Sequence, residues 1–314
     1  HVVATFDETV RSLRAAAEPT RLRILAVCSQ GELTVGEIGQ ALSQSQPRVS
    51  RHLKLLCDAG LLVRFREEHC VYYRVPPQGP GADQAAQLLT WIEAGDGVLE
   101  LDRERATQVR EERAQIAAEE LSALAQVAED PHTAAADEEL HAILLQELGD
   151  SEIGTLLDVG TGTGRILHWL APRAREAVGV DLSSEALRVA RTSVHGAGLS
   201  HCVLQQGDMH ELPFEDRSFD LITFDRVLAD ARRPGLALRE AARLLCADGR
   251  LLVIEDYDRL DAAAPASGGH ALKSLRDWLA DAGLACQRLR PVDTPGRHLL
   301  ITLSRHRDTV PAAA

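Results

Sequence analysis

The stretch Leu156-Leu157-Asp158-Val159-Gly160-Thr161-Gly162-Thr163-Gly164 admits few folds. An apolar run ends in an acid, three glycines follow at every second position, and an amphipathic segment runs from Arg165 to Leu170. This is the pattern of a buried strand, a tight glycine turn and the start of a helix. Glycine lets a ligand approach the backbone without Cβ atoms in the way. The first amides of the helix then point at that ligand. A nucleotide-like cofactor is the expected occupant.

Around this stretch the chain alternates. Strands are expected at Leu156–Val159, Ala177–Val180, Cys202–Gln206, Phe219–Phe224 and Leu251–Glu255, with Cys286–Pro291 and His298–Ser304 closing the domain. Helices are expected at 165–171, Ser184–Val194, Leu236–Leu245 and Leu272–Ala282. Such repetition implies a doubly wound α/β sheet with ligands at the carboxyl ends of its strands. Two cofactor classes fit the loop. A dinucleotide site wants G-x-G-x-x-G. Here the third glycine falls one place early and Arg165 stands at the dinucleotide position. Asp181, at the end of the second strand, suits a ribose diol under either reading.

The first 80 residues read differently. Thr9–Ala17 and Thr20–Cys28 have helical spacing, with Pro19 suited to a first turn. Thr34–Leu42 carries a capping box, Thr34 with Glu37 three residues on. The next helix is capped by Ser45 and closed by Gly60. It buries Val49, Leu53 and Leu56 and leaves Gln46, Arg48, Ser50, Arg51 and Lys54 on the opposite face. Two β-type runs, Leu61–Arg66 and Cys70–Val75, flank the polar turn Glu67-Glu68-His69 and form a hairpin. A helix pair with a basic second helix and a hairpin is a winged helix-turn-helix. Gln46, Arg48, Ser50, Arg51 and His52 are placed to meet base edges in a major groove. Lys54, Arg64, Arg66 and Arg74 are suited to phosphates. The competing reading is a solvated charged face.

The formal net charge of −13 is unevenly spread: residues 1–80 carry +2, residues 81–150 carry −13 and residues 151–314 carry −2. A nucleic-acid partner is therefore compatible with the first part. Pro76–Gly81 reads as a linker. Asp83–Glu93 and Glu100–Val127 read as helices of a packed connector or dimerisation region, broken at Glu129-Asp130-Pro131; Glu138–Leu148 leads into the α/β domain. The expected division is 1–80, 81–150 and 151–314. The six cysteines are scattered without CxxC or CxC pairs, so reduced and mostly buried thiols are expected. No apolar run approaches the ~20 residues of a membrane span, and the chain is expected to be cytoplasmic.

Two resemblances sharpen this. Residues 13–25 (LRAAAEPTRLRIL), 31–38 (GELTVGEI), 45–56 (SQPRVSRHLKLL) and 71–74 (VYYR) resemble ArsR/SmtB-type repressors. That resemblance implies a homodimer on double-stranded operator DNA. The metal-sensing members carry a Cys-x-Cys pair where Thr34-Val35-Gly36 stands here, or a His/Asp site on a helix after the wing, where Pro76–Gly81 stands. No metal is expected. Residues 206–220 (QGDMHELPFEDRSFD), together with the glycine loop, resemble class I S-adenosylmethionine-dependent methyltransferases, in particular the ubiquinone/menaquinone C-methyltransferase group.

The methyltransferase resemblance implies an S-adenosylmethionine or S-adenosylhomocysteine site. Asp158 and the loop Gly160, Thr161, Gly162 and Gly164 would face the methionine part. Asp181, with Leu182, would take the ribose, and Asp208 the adenine amino group, with the Met209 backbone at the ring. Asp225 completes the set. The catalytic residue is left open: His210, Asp225 and Tyr257 lie near strand ends but read as polar rim. Relatives of the regulator–methyltransferase type carry a His-Gln-Val-Leu-His-like stretch where Asp225-Arg-Val-Leu-Ala229 stands. The Asn/Asp-Pro-Pro-aromatic and Pro-Cys motifs of DNA methyltransferases are absent, as is the cysteine pattern of arsenite methylation. The fusion implies a dimeric regulator, a repressor of methionine or one-carbon genes, with the cofactor as effector. The alternatives are a working small-molecule methyltransferase that controls its own gene, and an adaptor with a degenerate cofactor fold.

Overall fold

Thr5 opens the first helix with its own side chain. Its hydroxyl accepts from the Glu8 amide at 3.3 Å, and the Glu8 carboxylate accepts from the Thr5 amide at 2.8 Å. The computed structural model describes residues 5–67, 70–76, 79–93, 95–125, 133–263, 271–294 and 297–307. In chain order the elements are α1 (Phe6–Ala16), α2 (Pro19–Cys28), β1 (Leu33–Thr34), α3 (Val35–Leu42), α4 (Gln46–Asp58), β2 (Val63–Glu67), β3 (Cys70–Arg74), α5 (Pro80–Thr90), α6 (Gly97–Ala125) and α7 (Thr133–Leu148). There follow β4 (Ile153–Val159), α8 (Arg165–Leu170), a 3-10 turn (Ala171–Arg173), β5 (Ala174–Asp181), α9 (Ser184–Gly196), β6 (Cys202–Gln206), β7 (Phe219–Asp225), α10 (Pro234–Leu244), β8 (Leu245–Asp256), α11 (Tyr257–Ala263), α12 (Ala271–Asp281), β9 (Leu284–Thr294) and β10 (Arg297–His306). They form two compact units. One comprises His1–Leu121 with Ser184–Val203, and the other Ser122–Ser183 with Leu204–Ala314.

In the first unit the predicted apolar faces meet. Ile24, Leu25, Ile38, Leu42, Val49, Leu53, Leu56, Leu61 and Leu62 share one core, and Ala85, Leu88 and Ala106 from α5 and α6 complete it. The capping box of α3 forms as expected: the Thr34 hydroxyl accepts from the Glu37 amide and the Glu37 carboxylate from the Thr34 amide. Ser45 stands at the N-cap of α4 but makes no side-chain cap bond, contrary to expectation. Gly60 follows at φ +75°, the left-handed region that favours glycine. β2 and β3 pair antiparallel as the expected hairpin, and β1 adds a third strand against β3. The hairpin turn at 68–69 lies outside the described residues.

Pro80 and Gly81, expected in a linker, instead form the first turn of α5, where a proline costs no helical hydrogen bond; residues 77–78, the break at 129–131 and His132 lie outside the described residues. α6 is anchored rather than solvated along its first half. Leu99, Asp102, Ala106 and Arg110 are buried on it. The buried Asp102 takes two bonds from Arg23, at 2.6 and 2.7 Å.

The second unit is built on a seven-stranded sheet in the order β6-β5-β4-β7-β8-β10-β9. β4 pairs parallel with β5 on one side and β7 on the other, and β7 pairs parallel with β8. The chain therefore reverses its direction of travel across the sheet between β4 and β7, the switch point at which α/β folds open a crevice. β10 runs antiparallel to both β8 and β9. Leu157, Val159, Ile222, Phe224, Leu251 and Val253 lie at the core with Leu238, Leu244, Leu275 and Leu279 from α10 and α12. No helix among the described residues is long and apolar enough to cross a membrane.

Candidate functional site

On α4 the 3.6-residue period separates the faces. Val49, Leu53 and Leu56 are buried, while Gln46, Arg48, Ser50, Arg51 and Lys54 are exposed. On β2 the period of two does the same: Arg64 and Arg66 are exposed on either side of the half-buried Phe65. Ser50, Arg51, Lys54 and Arg64 line a shared concave surface with Cys57, Asp58 and Tyr73. Four residues of the expected nucleic-acid face, Ser50, Arg51, Lys54 and Arg64, are thus brought together. His52 departs from it. Its side chain is tucked toward the start of α2, with Nδ1 3.6 Å from a Glu18 carboxylate oxygen.

Arg74, expected on phosphate, turns inward instead. Its guanidinium is 3.0 Å from the buried Glu32 and lies over the Phe65 ring, 5.2 Å from its centroid. The reason is register. β3 places Arg74 opposite Val63, beside the aromatic pair Phe65 and Tyr72, which stack at 5.6 Å. A buried carboxylate needs cations, and Glu32 has two. Arg191 of α9 bonds its other oxygen at 2.5 Å, with both side chains essentially inaccessible. Burial pushes the Glu32 carboxyl up, but Arg191 and Arg74 outweigh it and hold it below the usual carboxylate range. The Tyr72 ring is also met by the Arg191 and Arg113 guanidiniums, at 4.7 and 5.5 Å. Glu32 and Arg191 carried no signal in the sequence, since the two residues lie 159 positions apart.

The cysteines carry no common site. Cys28 and Cys202 are buried, which pushes both thiols up to about 12. Cys70 is exposed at the start of β3, contrary to the expectation of burial.

At the crevice of the second unit, β4 delivers the glycine loop. Gly160, Gly162 and Gly164 have φ of +70°, +55° and +88°. A Cβ on Gly160 would fall 2.5 Å from Val227, whereas one on Gly162 would meet nothing within 4 Å. The space above Gly162 is therefore open. Asp158 faces inward, not toward that space. It is 1% exposed, and the hydroxyls of Thr161 and Thr223 each donate to one of its oxygens at 2.6 Å. Burial is the main reason its carboxyl is pushed up to about 7, with Asp225 and Asp181 adding to it. Asp158 holds the loop in shape, and the loop presents its backbone.

Asp181 ends β5 beside this loop. One oxygen accepts from the Gly162 amide and the other from the Ser183 amide, both at 2.8 Å. Leu182 is exposed next to it. Asp208 follows β6, exposed, and accepts from the His210 amide at 3.0 Å. The His210 ring Nδ1 is 2.6 Å away. The backbone bond and the ring hold its carboxyl below the usual range. Met209 packs partly against the core. The carboxyl ends of three neighbouring strands thus bring the loop, Asp181 and Asp208 to one edge of the sheet.

Asp225 ends β7 already committed. Arg165 bonds one of its oxygens and Arg226 the other, at 3.1 Å in the second case. Arg165 also pairs with Asp137 and lies over Trp169, 5.0 Å from the ring centroid. Arg226 has a φ of +56°, unusual for a non-glycine residue, and its amide donates to Ile254 at 2.7 Å. The loop that follows is gathered around Glu255, at 0% exposure, which accepts from the Leu228 amide at 2.6 Å. Burial pushes the Glu255 carboxyl up to about 7 against the pull of these amides. Sequence reasoning placed Glu255 in a strand but did not find this role; an acid at the end of an apolar strand was the available signal. Tyr257 packs against the core at the start of α11.

Comparison with known proteins finds two families along the chain. Residues 18–63 match the bacterial regulatory protein arsR family and residues 150–303 match a methyltransferase domain. An uncharacterized methyltransferase of Bacillus subtilis is 36% identical over 39% of this chain and 48% of its own length. The arsenical resistance operon repressor of Escherichia coli is 42% identical over 23% of this chain and 62% of its own. A demethylmenaquinone methyltransferase of Thermotoga maritima is 39% identical over 32% of this chain and 42% of its own. The matched segments therefore span 42 to 62% of these relatives. A winged helix with a basic face and a glycine-loop crevice at a sheet switch point stand in one polypeptide, which joins an ArsR-family regulatory domain to a methyltransferase domain.

Proposed function

We propose that this chain is a DNA-binding regulator, acting as a repressor, whose methyltransferase domain takes S-adenosylmethionine or S-adenosylhomocysteine as an effector. The residues fit such a group. The open space over Gly162 gives the methionine part access to the loop backbone, Asp181 suits the ribose diol, and Asp208 with the Met209 backbone suits the adenine edge. When bound, the sulfonium form supplies an activated methyl group. The observation that carries the effector reading is the commitment of Asp225. An acid neutralised by Arg165 and Arg226 is poorly placed to take a proton from an acceptor.

On DNA, the α4 face and Arg64 and Arg66 would do the binding, in a homodimer, with methionine or one-carbon genes as targets by resemblance. An effector must bind the DNA-competent and incompetent states differently. Calorimetric titration with each ligand, in the absence and presence of a duplex selected by the protein from a random pool, tests this. A ligand-dependent change in duplex affinity is expected. Equal duplex affinity with either ligand and with neither overturns the reading.

A second reading, a working methyltransferase, is favoured by the intact loop and its acids. Methyl transfer to an unprotonated nucleophile needs mainly alignment and exclusion of water. Labelled S-adenosylmethionine incubated with cell extract distinguishes the two. A labelled small-molecule acceptor favours the enzyme.

A further inference from the structure

Helix α9 lies inside the methyltransferase match, yet it belongs to the compact unit that carries the winged helix. Its buried side chains are not those of a plain packing helix. Arg191 is 0% exposed. A guanidinium survives in such a place only with a charged partner and polarisable neighbours. It has Glu32 at 2.5 Å, and the rings of Tyr72 at 4.7 Å and Phe65 at 5.9 Å. Both rings belong to the wing hairpin. Phe65 is flanked on β2 by Arg64 and Arg66, the exposed pair of the proposed DNA face. Two further contacts fix α9. The Thr192 hydroxyl donates to the Arg110 carbonyl at 2.8 Å, and His195 lies so close to Gly31 that a Cβ there would fall 2.3 Å from Nδ1.

The other end of α9 begins at Ser184, directly after the turn that Asp181 organises. Asp181 holds the Ser183 amide with one oxygen and the Gly162 amide with the other. A diol that engages this carboxylate shares the two oxygens that hold both amides. Occupancy is therefore felt in the peptide that starts α9, and any displacement of α9 acts on a buried ion pair. Buried charge pairs resist small continuous shifts, because a partly separated pair loses more than it gains.

We infer that α9 is the transmission element between cofactor site and wing, with Arg191 as the positioning residue that grips Glu32, Phe65 and Tyr72. The inference rests on the effector reading above and names its route. Ligand at Asp181 shifts the start of α9, Arg191 changes its hold on the wing aromatics, and Arg64 and Arg66 move with Phe65.

The test is hydrogen–deuterium exchange on the full chain, with and without saturating S-adenosylmethionine, read separately over residues 156–164, α9 and β2–β3. The parent protein is expected to show protection at the loop and a change of at least about fivefold in exchange at the wing. Arg191→Lys keeps the charge but loses the planar fork that spans carboxylate and rings. It is expected to keep ligand affinity and loop protection while losing the wing response. Glu32→Gln provides a second variant with the same expectation. Protection at the loop with an unchanged wing in the parent overturns the inference and leaves cofactor binding standing. An unchanged wing response in both variants overturns the part assigned to Arg191. No binding of the ligand by the parent overturns the reading on which the inference rests.

Discussion

Asp181 holds two backbone segments at once. It orders the glycine loop and the turn before α9 with two charge-assisted bonds. Asp181→Ala is expected to weaken S-adenosylmethionine binding by roughly 2 kcal/mol or more, the worth of a hydrogen bond to a charged group. Calorimetry reads this directly, and an unchanged affinity removes Asp181 from the site. Glu255 makes a prediction about pH. Its folded carboxyl is raised to about 7 from 4.5, so the native state holds a proton that the unfolded chain releases. The stability it contributes is complete below about pH 4.5 and is lost as the pH rises through about 7. Glu255→Gln cannot titrate and keeps an acceptor for the Leu228 amide. The stability of the variant relative to the parent should therefore improve between about pH 5 and pH 8 in thermal melts. A constant difference across that window refutes the protonated assignment.

Among elements, the wing separates two kinds of arginine. Arg64 and Arg66 are exposed, and replacing either with alanine is expected to lower the slope of log affinity against log salt by about 1, without changing sequence preference. Arg74 bonds Glu32, and Arg74→Ala is expected to cost stability, roughly 3 kcal/mol for a broken buried pair. Salt titrations and chemical denaturation of the three variants check the contrast.

The same elements show what sequence can reveal. The α3 capping box, the left-handed glycines and the alternating faces of α4 and β2 were legible because each is decided within a few residues. So were the loop, Asp181 and Asp208 as a group, since strand ends converge in any sheet of this type. The inward turns of Asp158 and Arg74 were not. Their environments come from partners far along the chain, Thr223 and Glu32. Pro80 and Gly81 read as linker because local propensity says nothing of the core that α5 joins. The antiparallel pairing of β10 likewise depends on strands that composition alone does not order.

For the whole molecule, the family matches and the compact units do not coincide. The winged helix is completed by residues 184–203, which lie within the methyltransferase match. A fragment ending at Leu121 keeps Glu32 but loses Arg191, the cation at 2.5 Å. It is expected to be several kcal/mol less stable than the same region in the full chain. Denaturation followed at the wing, by a probe on the exposed Cys70, measures the difference. Equal midpoints show that the Arg191 contact contributes nothing to the first unit.

Synthesis of the chain inherits this arrangement. Glu32 emerges from the ribosome long before Arg191, which follows 159 residues later. Translation at ~5–20 residues per second separates the two by about ten to thirty seconds. Throughout that interval the nascent DNA-binding segment carries an acid with only part of its counter-charge. Its final packing waits on a helix not yet made, so the regulatory half of the protein matures only after the first two strands of the sheet, β4 and β5, have been made.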